Sequence, residues 1–368
     1  MNVPSWPQKR KRKMKLAIMA TKRLGYLVII FSLTSCNSDV LLDEEPSTIA
    51  SPVAIGFDNG YVENAACTRA ATYKLNDYAQ TMGVWGWEKD DKETESPIFD
   101  NHNIEYNGTV WEYTPLRYWK EGCTYQFYAY APHTSNQKGN KAVVTLNETT
   151  GMMSITGVTL NGDNLHEAKT ATEQMKSFIT APNDVDWMVA RTGQTAQGTA
   201  HNIVEFTMQH VLAKLNVRIR KTESLSTDAD IKEIRVNSLS IGTMAADGSF
   251  TQKHKATQDA TTSEEEWTTG NTTMTLNGTK DFSVTTQWQY MLESLVIPQA
   301  MPNAEVMLVY SIVFTDGRKE YFTYCTPLKE VFSTVSHLVS GNSYTISFTI
   351  EPDVIKFDSG TNIWTDII

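Results

Sequence analysis

The stretch that decides the architecture is His201-Asn202-Ile203-Val204-Glu205-Phe206-Thr207-Met208-Gln209-His210-Val211-Leu212-Ala213-Lys214-Leu215-Asn216-Val217-Arg218-Ile219-Arg220. Val204, Phe206 and Met208 alternate with Glu205, Thr207 and Gln209, which is the period of a half-buried strand. After His210-Val211-Leu212 the phase changes. Ala213, Leu215, Val217 and Ile219 now alternate with Lys214, Asn216, Arg218 and Arg220. A one-residue phase shift sends every apolar side chain to the opposite face. A bulge or bend near His210 would do this, as would a strand that leaves one sheet for another. The two apolar sets are expected in different cores or on opposite sheet faces, with a domain boundary here or slightly upstream.

Working outward, strand signals are dense on both sides. Upstream lie Val53–Phe57, Met82–Trp87, Val110–Tyr113, Tyr118-Trp119, Tyr125–Ala131, a hairpin of Val143–Leu146 with Met152–Ile155, and Asp186–Ala190. Asp90–Glu95 reads as a charged loop, Asn107-Gly108 as a turn, and Asn161–Ser177 as a loop. Downstream lie Ile234–Ile241, Phe282–Thr285, Leu292–Ile297, Val306–Phe314, Lys319–Cys325 and Tyr344–Ile350. Val306–Phe314 is apolar on both faces and is expected at the centre of its sheet. Asp247-Gly248 and Asp316-Gly317 read as turns, and Thr251–Gly270 as a polar flexible run. No repeat of fixed period is present. Many short strands without a long amphipathic helix predict an all-β chain of β-sandwich domains. A length of 368 residues suits two of them.

The N-terminal part reads differently. A basic cluster, Lys9–Lys13, precedes the apolar run Leu24–Leu33, and Leu33-Thr34-Ser35-Cys36 follows. A basic region, an apolar region of about 7–15 residues and small residues before a cut make a secretory signal. The run is too short for a membrane span of about 20 residues. Leu-Thr-Ser-Cys resembles the lipobox of bacterial lipoproteins, in which the Cys thiol is diacylated and becomes the mature N-terminus. Residues 1–35 are thus expected to be a signal peptide, and Met14 or Met19 would each open one of ordinary length. Cys36 is the expected lipidation site. Residues 36–52, with Asp39, Asp43, Glu44, Glu45 and Pro46, suit a flexible tether. Residues 53–200 and 201–368 are the expected N-terminal and C-terminal domains.

Chemistry is sparse. A net charge of -10 argues against a nucleic-acid partner. No GxSxG, HExxH, P-loop or GxGxxG pattern occurs, so no catalytic, cofactor-binding or metal-binding residue is expected. His201 and His210 lack a metal-ligand spacing, and His210 reads as a satisfied core or turn histidine. The acidic pairs Asp90-Asp91 and Glu264–Glu266 read as solvated surface rather than glycosidase carboxylates. Trp85, Trp87, Trp111 and Trp119 read as core filling, with a sugar-stacking platform as the rival. The cysteines are Cys36, Cys67, Cys123 and Cys325, without a CxxC pair. Free, buried thiols are expected at Cys123 and Cys325.

Taken together, several stretches resemble the fimbrillins of Bacteroidales-type bacteria, the type V pilins. They are the lipobox at Cys36, Val53–Phe57 followed by Thr68-Arg69-Ala70, the aromatic run Val110–Pro132, Asp186–Ala190, Phe206–Val217, and Gly341-Asn342-Ser343-Tyr344 with Trp364. The resemblance implies two tandem transthyretin-like β-sandwich domains, lipoprotein export to the outer membrane, and a role as shaft, tip or anchor subunit of an adhesive fimbria. It implies cleavage after Arg69, leaving Ala70 as the new N-terminus, and removal of a strand carrying Val53, Ile55 and Phe57. The vacated groove would take a strand from a neighbouring subunit, for which Ile355, Phe357, Ile363 and Trp364 are the candidate donor side chains. Partners would be other fimbrial subunits, a host or bacterial surface receptor, and the membrane through the lipid. The rival reading is a monomeric surface lipoprotein that binds glycans through exposed aromatics, and a second rival is a lipid-retaining anchor or tip subunit.

Overall fold

The computed structural model describes residues 52–58, 61–62, 74–136, 141–165, 184–190, 194–197, 203–252, 265–352 and 355–363, all within the compact unit Ser51–Ile368. Cys36, Cys67, Arg69, Ala70, His201 and Trp364 lie outside the described residues. The strands of the first half are β1 (Tyr61–Val62), β2 (Thr81–Lys89), β3 (Glu95–Tyr106), β4 (Trp111–Glu112), β5 (Thr124–Ala131), β6 (Val143–Asn147), β7 (Met152–Thr159), β8 (Met188–Ala190), β9 (Gln194–Gln197) and β10 (Thr207–His210). Those of the second half are β11 (Ala213–Lys221), β12 (Ile231–Ala245), β13 (Asp247–Gln252), β14 (Glu265–Thr269), β15 (Thr273–Asn277), β16 (Phe282–Ser283), β17 (Gln289–Val296), β18 (Glu305–Phe314), β19 (Lys319–Pro327), β20 (Asn342–Ile350) and β21 (Ile355–Ile363). The helices described are single turns, such as Leu75–Tyr78 and Leu328–Val331, and none of the described helices is long and apolar enough to cross a membrane.

The chain is all-β, as its patterning requires. An eight-stranded sheet runs β1-β10-β8-β5-β2-β3-β4, with β9 paired to β5. A four-stranded sheet runs β17-β11-β20-β21, and a five-stranded one runs β15-β12-β18-β19 with β16 on β12. As expected, β18 is flanked on both sides. The phase change at His210 is a change of sheet. Thr207–His210 pairs with β8 in the first sheet, and Ala213–Lys221 pairs with β17 and, in parallel, with β20 in the second. Leu215, Val217 and Ile219 face Tyr344, Ile346 and Phe348 across that parallel ladder, all buried. A fourth sheet, β14-β13-β7-β6, pairs β7 with β13 across residue 201. The two halves of the sequence therefore share one sheet, and a single continuous core runs through both.

Three local expectations are corrected, at Asp247-Gly248, within Thr251–Gly270 and at Cys325, and one strand, β3, goes unread in the sequence. The first concerns Asp247-Gly248, which opens β13 instead of turning: the pair faces Thr159 and Val158, and the Asp247 carboxylate accepts the Thr272 amide at 2.8 Å. Within the run read as flexible, Glu265–Thr269 is β14, held by the Trp267 indole N–H, which donates to the Val211 carbonyl at 2.8 Å. The long strand β3 carries no regular alternation. Phe99 and Ile104 are both core residues at an odd spacing, and Asn101 between them has a φ of 45°. A residue in that conformation shifts the pleat by one and hides the period. Lastly, Cys123 and Cys325 are free, but Cys325 is exposed where burial was expected.

Candidate functional site: an occupied strand groove

Residues 52–58 run between two segments that flank strands of the first sheet, Arg117–Trp119 after β4 and Val204 before β10. On one side the Ile55 amide donates to the Arg117 carbonyl at 2.8 Å, and the Trp119 amide donates to the Val53 carbonyl at 2.9 Å. On the other side the Val204 amide donates to the Gly56 carbonyl at 2.8 Å, and the Asp58 amide donates to the Val204 carbonyl at 3.1 Å. Both backbone edges of the segment are thus engaged. Isolated bridges Ala54–Tyr118, Phe57–Trp111 and Phe57–Val204 mark the register. The segment is bridged at these points and does not form a regular strand.

Apolar side chains seat it. Ile55 is 1% exposed and Phe57 5%. The Phe57 ring is edge-on to Phe99 (5.5 Å), Tyr113 (5.7 Å) and Phe127 (6.1 Å), and stacks on Phe206 at 6.1 Å. Val53 departs from the expectation: it is 37% exposed, because it lies at the mouth of the groove. Two side chains, not three, fill the groove. At roughly 1.5–3 kcal/mol each, their burial is worth about 3–6 kcal/mol.

Tyr113 locks the middle of the segment. Its hydroxyl donates to the Ile55 carbonyl at 2.8 Å and accepts the Arg117 amide at 3.2 Å. Burial pushes the Tyr113 phenol above its ordinary value, so it remains a neutral donor near pH 7. Behind the wall, Trp119 packs edge-on to Tyr125 at 4.7 Å. Burial likewise pushes the Tyr125 phenol up to about 12, and its oxygen accepts the Lys120 amide at 2.7 Å.

The remaining residues singled out from the sequence find plainer places. Trp85, Trp111 and Trp119 are 5–8% exposed, and half-buried Trp87 packs on Tyr128. They build core and wall, so these four do not make the sugar-stacking platform of the rival reading. His210 is buried, and its Nδ1 sits 2.9 Å from an Asp186 carboxylate oxygen, so it is a core histidine and, among the described residues, not a metal ligand. Asp90 serves its own turn, accepting the Lys92 and Thr94 amides. No metal-holding group of His, Cys, Asp or Glu occurs among the described residues.

Two of the candidate donor side chains, Ile355 and Phe357, are not at the groove. Ile355–Ile363 is the edge strand of the second sheet, paired along its length with β20. Ile355 is half-buried there, and Phe357 is 41% exposed against Tyr324, with the rings 5.6 Å apart. In this state the tail closes its own sheet.

Reasoning from sequence missed the walls: Phe99, Tyr113, Arg117, Phe127, Val204 and Phe206. The alternation of Val204 and Phe206 was visible, but their partner segment lies far away in the chain.

The fold is shared with one solved structure in particular. A fimbrial protein from Bacteroides vulgatus ATCC 8482 matches with a TM-score of 0.53 at 17% identity, over 85% of this chain and 99% of that one. The tip fimbrial protein Mfa3 from Porphyromonas gingivalis, with C-terminal truncation, matches with a TM-score of 0.32 at 10% identity, over 85% of this chain and 100% of that one. No curated protein matches in sequence. The fimbrillin-like family model matches residues 68–364, which is most of the chain, and the chain belongs to that family.

Proposed function

We propose that this chain is a structural subunit of an adhesive surface fimbria, exported as a lipoprotein through Cys36 and assembled by strand exchange at the groove. Membership of a fimbrillin-like, non-enzymatic family supports the subunit role. Similarity to fimbrial proteins agrees with a place at the cell surface. The observation that carries the assembly step is the seating of residues 52–58. They fill a groove that would otherwise expose the Phe57 pocket and leave the Arg117 and Val204 carbonyls without these partners. In sequence, Arg69 follows both this segment and the short strand β1, which pairs with β10, and it precedes the other strands of the sheet. Cleavage after Arg69 would cut the segment from the domain it completes, remove the lipid with it, and start the mature subunit at Ala70. An extended strand from a neighbour then restores the lost contacts by β-strand addition. The C-terminal strand with Ile355, Phe357, Ile363 and Trp364 is the donor.

The test pairs Arg69→Ala with a truncation after Pro352. Strand exchange requires that each variant lose the SDS-resistant, boiling-sensitive polymers on the cell surface. If both variants still polymerise, the assignment is wrong.

A further inference from the structure

The segment in the groove has a second copy in the chain. Residues 52–60 read Pro-Val-Ala-Ile-Gly-Phe-Asp-Asn-Gly, and residues 352–360 read Pro-Asp-Val-Ile-Lys-Phe-Asp-Ser-Gly. The shared pattern, P-x-x-I-x-F-D-x-G, matches Pro52 with Pro352, Ile55 with Ile355, Phe57 with Phe357, Asp58 with Asp358 and Gly60 with Gly360. The matched positions include both side chains that fill the groove.

The two copies are buried very differently. Phe57 is 5% exposed, and Phe357 is 41% exposed on an edge strand. Ile55 is buried, and Ile355 only half-buried. A large aromatic left on an edge strand is poorly used where it stands. The unmatched positions also fit the groove. Val53 is exposed at the mouth, where Asp353 would meet water. A Cβ added at Gly56 would meet nothing closer than Ile203 Cγ1 at 3.8 Å, so Lys356 is accommodated there. The groove uses amides at positions 55 and 58 and carbonyls at 53 and 56. Ile355, Asp358, Asp353 and Lys356 offer the same groups, and Pro352 falls before the first of them.

From this we propose that the incoming strand is residues 352–360 of a second copy of this chain, in the register that lays Ile355 on the place of Ile55 and Phe357 on that of Phe57. The inference rests on the strand-exchange reading above and adds the partner and the register. A chain that carries a copy of its own plug is complementary to itself.

The register is testable by disulfide trapping. Ala54 faces Tyr118 in a pair flanked by the Ile55–Arg117 and Trp119–Val53 hydrogen bonds. Such non-hydrogen-bonded pairs have Cα atoms about 4.5 Å apart, within disulfide reach. In the proposed polymer Val354 of one copy takes the place of Ala54 against Tyr118 of the next. The full chain, with Cys67, Cys123 and Cys325 changed to Ser, is expressed as Val354→Cys with Tyr118→Cys, and separately as Lys356→Cys with Tyr118→Cys. The first pair is expected to give a thiol-reducible ladder on the cell surface, and the second is not. Without added thiols, Phe357→Ser should deplete SDS-resistant polymer by about tenfold or more, whereas Phe357→Leu retains it. Polymer that traps only through position 356, or a disulfide confined to single chains, overturns the register or the partner while strand exchange stands. Polymer that survives in Phe357→Ser does the same. If the unmodified chain forms no polymer at all, the strand-exchange reading itself fails, and this inference with it.

Discussion

Replacing Phe57 by Ala tests the groove directly. The ring is 5% exposed and lies between Phe99, Tyr113, Phe127 and Phe206, at centroid distances of 5.5–6.1 Å. Truncating a buried Phe removes its transfer free energy and leaves a cavity, a cost of about 3–5 kcal/mol. Four rigid rings cannot collapse far into that space, which favours the upper half of the range. Val53→Ala is the internal control. It sits two positions short of Ile55, but it is 37% exposed, and surface changes of this kind usually stay within about 0.5 kcal/mol. Urea unfolding of the intact chain, followed by tryptophan fluorescence, reads both variants, since Trp111 and Trp119 line the groove wall. A pronounced fall in the midpoint is expected for Phe57→Ala and almost none for Val53→Ala. Equal midpoints for the two variants would refute the claim that Phe57 is a buried plug while Val53 only marks the mouth.

Two further outcomes are expected. Tyr113→Phe removes the hydroxyl that donates to the buried Ile55 carbonyl, a loss of about 1–3 kcal/mol; amide exchange at Ile55 and Val204 should quicken, and unchanged protection at both would count against the lock. His133 is buried, with Nδ1 accepting the Ser135 amide at 3.2 Å and Nε2 lying 3.3 Å from the Asn101 carbonyl, and burial holds its pKa below the ordinary value. Because the folded state holds this proton less tightly than the unfolded chain, the contribution is complete above about pH 6.5 and is lost as pH falls through the folded value. Melting curves at pH 7.5 and pH 5 should therefore differ less in His133→Gln than in the parent, and identical pH dependence in the two would sink the assignment.

Much of the fold was legible because alternation is a local signal. The sets around His210 disclosed a break in phase, which the pairing resolves as a change of sheet rather than a bulge, and Tyr125–Ala131, Val306–Phe314 and Tyr344–Ile350 disclosed their strands. The signal failed where the backbone departs from a regular pleat. Asn101 breaks the phase of β3, so Phe99 and Ile104 look unrelated although both are core residues. It failed again at Asp247-Gly248, whose turn-like chemistry is overridden by long-range pairing with Val158 and Thr159. Of the groove, Val53, Ile55 and Phe57 were readable as an alternating apolar set, although only the last two are buried. Their walls were not, since Arg117 and Val204 meet the segment only after the chain has folded. The second copy of the groove motif escaped a search for periodic repeats because two occurrences define no period.

The occupied groove also explains why cleavage would act as the switch. For the strand beginning at Ile355, the edge of β20 and the groove are competing sites. The edge bonds it on one side and leaves Phe357 41% exposed, whereas the groove bonds its occupant on both sides and buries the equivalent ring. Contact quality therefore favours the groove. In the uncut chain, however, residues 52–58 are covalently tied to the sheet they complete. A short tether holds a segment at an effective concentration of the order of mM, against about μM for a separate subunit. That ratio of about a thousandfold corresponds to about 4 kcal/mol in favour of the chain's own segment. A neighbour's segment cannot overcome such a margin through contacts alone, because it offers the groove the same two buried side chains, an Ile and a Phe. Cutting the tether removes the advantage without changing any contact. Under the proposed assembly, occupancy would then depend on which segment remains nearby: a displaced 52–58 would leave with the proposed lipid anchor while the next subunit's strand would stay. Under the proposed assembly, Arg69→Ala should accordingly remain monomeric even with the 352–360 motif intact, and polymer from that variant would show that contacts, not tethering, set the outcome.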